Sequence, residues 1–479
     1  MKMFFQPLIT RLLIASALLC TTLPALSREA DTILQKPGYE AALLLSEYIS
    51  HASVSGTEKN AGEFLAGVCR ERGLHLRIFT DTIDSYNFAA SLFPLDSGKP
   101  NIVFLNHIDV VTPGEESGWK YPAFSGTIVE DTVWGRGAID MKQAVIMQLM
   151  ALSTMVDRAA AEELPLNVTL LCVSGEETYG LNGSKIISER FLPELNPAVL
   201  IGEGGIGSRE VLTGDPERPV FAISLSEKRA LWLRLHLAYE SSGHGSVPPP
   251  DYASKLMISS LNNLTGLKPE IRFDDMSKLM FRNLGKLEGG LAGFLISHPV
   301  LFKPLVAGGL RKNPLTASTV TNTVSITYLS TPECGINQIP QEITAYLDCR
   351  LLPGTSTPNF LGYLREKLDN SQIELSVIEE TQGSEPTIPD RYYSHLAESI
   401  EEVYPGAGVV PVLFPATSDN NYFRNAGVPV YGVIPVLISQ QLLQTIHNYN
   451  ERIPVEALHY GTEVYRRFIE KSMPETDKP

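Results

Sequence analysis

At 479 residues the chain is longer than one hydrophobic core usually supports, so two domains are expected. Hydrophobic content of 43% and charged content of 19% are ordinary for a globular protein. The formal net charge of −15 excludes nucleic acid as a partner, because a phosphate backbone is bound by clustered Lys and Arg.

The first segment reads as an export signal. Lys2 and Arg11 precede or flank the apolar run Leu12–Leu19, and Ala25-Leu26-Ser27 has the small-x-small pattern that signal peptidase cleaves. Residues 1–27 are therefore predicted to be removed after Ser27, leaving a periplasmic or secreted protein. A retained N-terminal anchor is the alternative, although the run is short for a membrane span and is broken by Thr21, Thr22 and Pro24. No later segment reads as a transmembrane helix. Export permits disulfides, and Cys334 could pair with Cys349. Together with Cys69 and Cys172, however, these cysteines are too scattered for a disulfide framework or a zinc-thiolate site.

From residue 28 to 226, helical and strand patterns alternate. Ala41–Ile49 and Lys59–Arg72 have helix-like apolar spacing, whereas Asn101–Leu105, Asn167–Val173 and Ala198–Ile201 are short apolar runs. Between the first two runs, Met141–Val156 places Val145, Ile146, Leu149, Met150 and Leu152 on one buried helix face. This alternation predicts an α/β catalytic domain with a mostly parallel sheet sandwiched by helices. The character changes over residues 227–354. Leu231, Leu233, Leu235 and Leu237 alternate with Trp232, Arg234 and His236, and Ile343, Ala345, Leu347 and Cys349 alternate with Thr344, Tyr346 and Asp348. Such a pattern predicts an antiparallel sheet in an inserted α+β lid domain. The α/β style returns over 355–479 and ends in the helix Val455–Lys471.

Chemistry-bearing residues follow each apolar run of the first domain. His107 and Asp109 follow Asn101–Leu105, Glu176 and Glu177 follow Asn167–Val173, and Glu203 follows Ala198–Ile201. Ligands of open α/β sheets bind beyond the carboxyl ends of the strands, so these groups should converge there with Asp140. So many acids in one crevice would repel one another unless cations neutralised them. A carboxylate at Asp109 could also accept the second ring N–H of a metal-bound His107.

In this order, several motifs resemble those of the M20 metallopeptidases, within them the carboxypeptidase S and N-acyl-amino-acid hydrolase branch. They are Asn106-His107-Ile108-Asp109-Val110, Gly135-Arg136-Gly137-Ala138-Ile139-Asp140-Met141-Lys142, Ser174-Gly175-Glu176-Glu177 and Gly202-Glu203-Gly204-Gly205. Gly243-His244-Gly245-Ser246, Asn337-Gln338-Ile339-Pro340 and His447-Asn448-Tyr449-Asn450-Glu451 complete the set. The resemblance implies two Zn²⁺ per chain, bridged by Asp140. His107 and Glu203 would complete one site, and Glu177 and His447 the other. It further implies a cis peptide between Asp140 and Met141, and Glu176 as the general base for hydrolysis of an amide bond. The substrate would be a peptide, cleaved in carboxypeptidase fashion, or an N-acyl amino acid. His244 would assist the oxyanion, in several dimeric members of the family from the neighbouring subunit, so a homodimer through the lid is expected. Asn337 and Arg350 match substrate-holding positions. A non-catalytic binding protein and a single-metal amidase are the alternatives.

Two stretches depart from the family pattern. Pro415-Ala416-Thr417-Ser418-Asp419-Asn420 stands where many relatives carry Gly-Gly-Thr-Asp-x-Arg, which leaves Ser418 as the expected substrate contact. Thr265–Leu315 is longer than a minimal lid needs. It is expected to hold extra helices packed on the lid. The competing expectation is that its apolar segments, Met280–Phe281, Leu291–Ile296 and Val300–Val306, wall a site for a long acyl chain or a hydrophobic side chain, with Phe294 and Leu295 as the test positions.

Overall fold

The computed structural model describes residues 36–161, 164–240, 243–266 and 268–473. The expected signal peptide lies outside them. No helix among the described residues is long and apolar enough to cross a membrane.

The apolar runs read from sequence become the middle of an eight-stranded sheet. Its order is His75–Asp81, Tyr86–Ser91, Asn167–Val173, Asn101–His107, Pro197–Ser208, Val430–Leu437, Val220–Glu227, Gly408–Phe414. Asn101–His107 runs parallel to both neighbours, and every residue of it and of Asn167–Val173 is buried. Such double burial explains the continuous apolar runs. The pairs at the His75–Asp81 edge are antiparallel. Register then does the positioning, because His107 lies level with Val173, and the turn Ser174–Glu177 comes immediately after.

Helices Tyr39–Ser50, Lys142–Ser153 and Val455–Ser472 cover one face of the sheet through a core that includes Leu45, Phe104, Ile146 and Phe468. Lys142–Ser153 is buried on nearly every side, including Lys142, Gln143 and Gln148. Residues of the other face, among them Leu105, Leu171 and Leu200, pack with Ile187, Leu195 and Phe423.

A second, four-stranded antiparallel sheet has the order Thr323–Ser330, Glu342–Leu351, Arg229–Ala238, Glu374–Glu380. Leu231, Leu233, Leu235 and Leu237 face a core closed by helices Ala253–Thr265 and Thr357–Leu368. Residues 357–380 thus pair and pack with this sheet, so the expected return to the first domain at 355 falls about one helix and one strand too early. Pro353-Gly354 marks a turn within the unit instead. Lys228 stands where the chain passes between the sheets. Its buried ammonium donates to the Ser318 and Thr321 carbonyls at 3.1 and 2.9 Å.

Helices Asp275–Glu288, Gly290–Ser297, Lys303–Lys312 and Pro314–Val320 occupy the long stretch of the inserted segment. They do not pack on the lid sheet as expected. Met280, Phe281 and Val320 instead form a separate core with Val220 and Val410 of the large sheet. The apolar face of Asp275–Glu288 meets the strand Gly408–Phe414 at the sheet edge, which would otherwise be open. The Cys334–Cys349 pairing does not form: Cys349 is buried in the lid core, Cys334 is exposed, and both are free thiols.

Candidate metal centre

His107 ends its strand almost wholly buried, with Nε2 at 3.2 Å from Asp140 Oδ1. Its Nδ1 meets the backbone carbonyl of Asp109 at 2.8 Å, while the nearer Asp109 carboxylate oxygen stands at 3.7 Å. The ring is therefore oriented by the carbonyl rather than the expected carboxylate. That carboxylate instead accepts the N–H groups of Glu176 (3.0 Å) and Glu177 (3.2 Å) and the Ser55 hydroxyl (2.7 Å). Asp109 thus shapes the turn that presents the two glutamates.

Asp140 closes a loop in which Gly137 has φ +85°, and the Asp140–Met141 peptide is cis. The loop hangs on Glu451, fully buried, whose carboxylate accepts Gly137 N–H (3.0 Å), Ile139 N–H (2.7 Å) and Asp140 N–H (3.1 Å). Arg136 pairs with the same carboxylate at 2.8 Å. Lys142 is buried but donates to the Tyr48 and His51 carbonyls, away from the cluster. His447, at φ 56°, brings Nε2 to 3.0 Å from Asp140 Oδ2 and 3.2 Å from Glu177 Oε1. Glu203 projects from Pro197–Ser208, where Asn420 Nδ2 donates to its carbonyl at 2.7 Å.

The result is two overlapping groups, His107/Asp140/Glu203 and Asp140/Glu177/His447, each with ligand atoms within 4.8 Å of one another. His107, Glu176 and Glu177 form a third such group. Electrostatics fit a cation here. Burial pushes Glu176 and Glu203 well above the usual carboxylate range, helped by Glu203 and Asp140 respectively. Burial would also raise Asp140, but hydrogen bonds from His107 and His447 hold it below that range. Hydrogen bonds donated by its ring to Asp140 and Glu177 push His447 up to about 10. Without metal, imidazolium protons supply the positive charge that the acids demand. Two imidazoles and several carboxylates, with Asp140 shared, are a donor set suited to divalent zinc.

The remaining expected residues separate. Arg350 lines the cavity over the acids, held by Asp348 at 2.8 and 3.0 Å and directed at Thr417. Ser418 lines the cavity, with its N–H and hydroxyl proton both donated to Glu227 at 2.8 Å. Glu227 in turn forms a buried ion pair with Arg424 at 2.7 Å. His244 and Asn337 are exposed on lid loops and touch each other at 3.0 Å. Neither lines the cavity of their own chain. Glu227 and Arg424 carried no distinct sequence signal, whereas Glu451 closes the motif that begins at His447.

The cavity measures about 680 Å³. It begins at Asp140, Glu176, Glu177, Glu203 and His447 and continues to a wall of Val220, Ala222, Met280, Phe281, Leu284, Val410 and Val412. Met280 and Phe281 of the expected apolar segments are in it, whereas Phe294 and Leu295 are not. Their helix, Gly290–Ser297, lies one step further out, and Asp275–Glu288 takes the inner position.

The model of peptidase family M20/M25/M40 matches residues 103–471. The chain therefore belongs to the M20 family, enzymes that hydrolyse amide bonds. It is 25% identical over 383 residues to the N-fatty-acyl-amino acid synthase/hydrolase of Homo sapiens, covering 78% of this chain and 74% of that one. It is 23% identical over 406 residues to a probable carboxypeptidase S-like protein of Dictyostelium discoideum, covering 83% and 77%. The fold matches an M20 metallo-carboxypeptidase of Sulfolobus solfataricus at TM-score 0.67 and 21% identity, over 90% of this chain and 98% of that one. Human carnosine dipeptidase 1 matches at TM-score 0.65 and 16% identity, over 91% and 96%.

Proposed function

We propose that this exported enzyme hydrolyses N-acyl amino acids carrying a long apolar acyl group, using two Zn²⁺ ions per chain. The observation behind the substrate class is one continuous cavity, with acids and histidine at one end and an apolar chamber at the other. A pocket of this size is typical for a whole small-molecule ligand. The name of the human relative supports the same class. The name of the Dictyostelium relative favours a second reading, carboxypeptidase action on a peptide with an apolar residue in that chamber.

His107, Asp140 and Glu203 would hold one ion, and Asp140, Glu177 and His447 the other. Bound there, the ions would acidify a water and polarise the scissile carbonyl. Glu176 takes a proton from the attacking water and returns it to the departing amine nitrogen. Asp109 positions Glu176 by holding its N–H. Arg350 receives the free carboxylate of the amino-acid half. His244 and Asn337, exposed and joined, act at the site of a second copy in a lid-mediated homodimer.

The test uses zinc-loaded protein, a series of N-acyl amino acids and dipeptides, and a chelator control. Long-chain N-acyl amino acids should turn over fastest, and the chelator should abolish turnover. Glu176→Ala should retain two zincs per chain and lose roughly 10²- to 10⁴-fold in turnover. Undiminished turnover would exclude Glu176 as the base. One zinc per fully active chain would exclude the two-metal reading.

A further inference from the structure

The helices that cap the apolar chamber have a second, outward face. Leu291 and Phe294 of Gly290–Ser297 are 76% and 51% exposed, and Val300 and Leu301 after it 57% and 72%. Leu305 of Lys303–Lys312 is 71% exposed, and Leu315 of Pro314–Val320 58%. These are not scattered residues. Phe294 packs on Phe302 with ring centroids 5.8 Å apart, and the Phe302 carbonyl accepts the Leu305 N–H. The Leu310 carbonyl accepts the Thr316 hydroxyl at 3.0 Å, which joins Lys303–Lys312 to Pro314–Val320. Large exposed apolar side chains on adjoining helices mark a docking face rather than ordinary surface.

Charge says what docks there. The whole chain carries a formal −15. Across the helices from Asp275 to Leu315, however, six Lys and Arg stand against two acids, Asp275, which pairs with Lys278 at 3.0 Å, and Glu288. The Glu288 carboxylate is already occupied by the N–H groups of Thr213 (2.8 Å) and Gly214 (2.9 Å). Arg282, Lys286, Arg311 and Lys312 are exposed. A two-fold dimer through this face would set these cations against their own copies, so charge opposes a second copy here. Helices with exposed Leu and Phe beside Lys and Arg have instead the composition of a segment that lies in the plane of an anionic lipid surface.

The face is also continuous with the active-site cavity. Leu315 is exposed on the patch and also lines the cavity, next to the buried Met280 and Phe281 of the helix beneath, which line it too. We propose that the helices spanning Gly290–Leu315 dock on an anionic phospholipid bilayer, and that an acyl chain passes from it beside Leu315 into the chamber. The route, though not the docking, rests on the acyl-substrate reading above.

The experiment is flotation of the zinc-loaded full chain with phosphatidylcholine vesicles, with and without phosphatidylglycerol. Any N-terminal apolar run is common to parent and variants, so the comparison isolates the helices. Binding should need the anionic lipid and weaken with salt. Leu301→Ser/Leu305→Ser should weaken it roughly tenfold, since two exposed leucines lose their burial. That variant should keep the parent's kcat/KM on a soluble N-acetyl amino acid. In Phe294→Trp, brominated phospholipid should quench the added fluorescence. Equal flotation of parent and variant, or no quenching, would overturn the proposal. Sedimentation showing a dimer of the parent that Leu301→Ser/Leu305→Ser dissociates would also overturn it, and would assign the face to a second copy. Loss of long-chain hydrolysis with vesicle binding intact would sink the substrate reading and leave the docking standing.

Discussion

Glu451 sits directly behind Asp140, fully buried, and accepts the Asp140 N–H at 3.1 Å. Through Ile139, Gly137 and Arg136 the same carboxylate fixes the rest of the loop. Asp140, common to two of the candidate metal groups, is therefore held by a residue that belongs to none of them. Glu451→Gln keeps the shape but removes the charge and one acceptor oxygen. It should cost roughly 10- to 100-fold in zinc affinity, the usual range for a group supporting a ligand. Glu451→Ala also strands the buried Arg136 charge and should destabilise the fold by about 3–5 kcal/mol. Competition with a chromogenic chelator and urea titration would measure the two effects separately.

The metal-free state makes a distinct prediction about pH. His447 is pushed up to about 10 by its hydrogen bonds to Asp140 and Glu177. Because its folded pKa lies above its unfolded value, its contribution to stability is complete below the ordinary histidine range. It is lost as pH rises through about 10. The chelated protein should therefore lose stability between roughly pH 6.5 and 10, and the zinc-loaded protein should not share that loss. Zinc must also displace the proton. Calorimetry of zinc binding near pH 7.5, in buffers of different ionisation heat, should show net proton release. Equal heats in all buffers would contradict the ligand assignment of His447.

Much of this centre is legible in the sequence because strand ends are legible. Apolar runs such as Asn101–Leu105 and Asn167–Val173 announce buried parallel strands, and the residues just beyond them lie at the sheet's carboxyl edge. His107, Glu176, Glu177 and Glu203 are located in that way. The support beneath them is not. Glu451 belongs to the motif that begins at His447, but its supporting role, like those of Glu227 and Arg424, depends on partners far away in sequence. Nor does any local pattern tie Ser418 to its partner, Glu227, which lies 191 residues away. The lid boundary fails differently. Pro353-Gly354 is a genuine turn signal, but a turn does not say which sheet the next strand joins, and Glu374–Glu380 pairs with Arg229–Ala238.

The chamber wall offers a test of acyl-chain length. Ala222 lines the cavity on the strand Val220–Glu227, opposite the capping helix Asp275–Glu288. Ala222→Leu adds three carbons at that wall and should shorten the longest acyl group accepted. The expected result is roughly tenfold lower kcat/KM for long-chain substrates, since losing two buried methylenes is worth about 1.6 kcal/mol. N-acetyl substrates should be unaffected. Phe294→Ala, outside the cavity, should leave the chain-length profile of soluble substrates unchanged. If it shifts the profile and Ala222→Leu does not, the chamber has been assigned to the wrong helix.

Arg350 is held in the cavity wall by a two-point contact with Asp348 and a third with Thr417. The planar guanidinium makes all of these contacts at once, which a lysine ammonium at that position would not reproduce. Arg350→Lys preserves the positive charge but frees Asp348 and loses the fixed orientation. For a substrate whose carboxylate is bound equally in the ground and transition states, KM should rise with little change in kcat. The same variant should handle the methyl ester of the amino-acid half much as the parent does, because that substrate has no carboxylate to place. An equal loss on acid and ester would mean that Arg350 supports the wall through Asp348 and Thr417 and does not read the substrate.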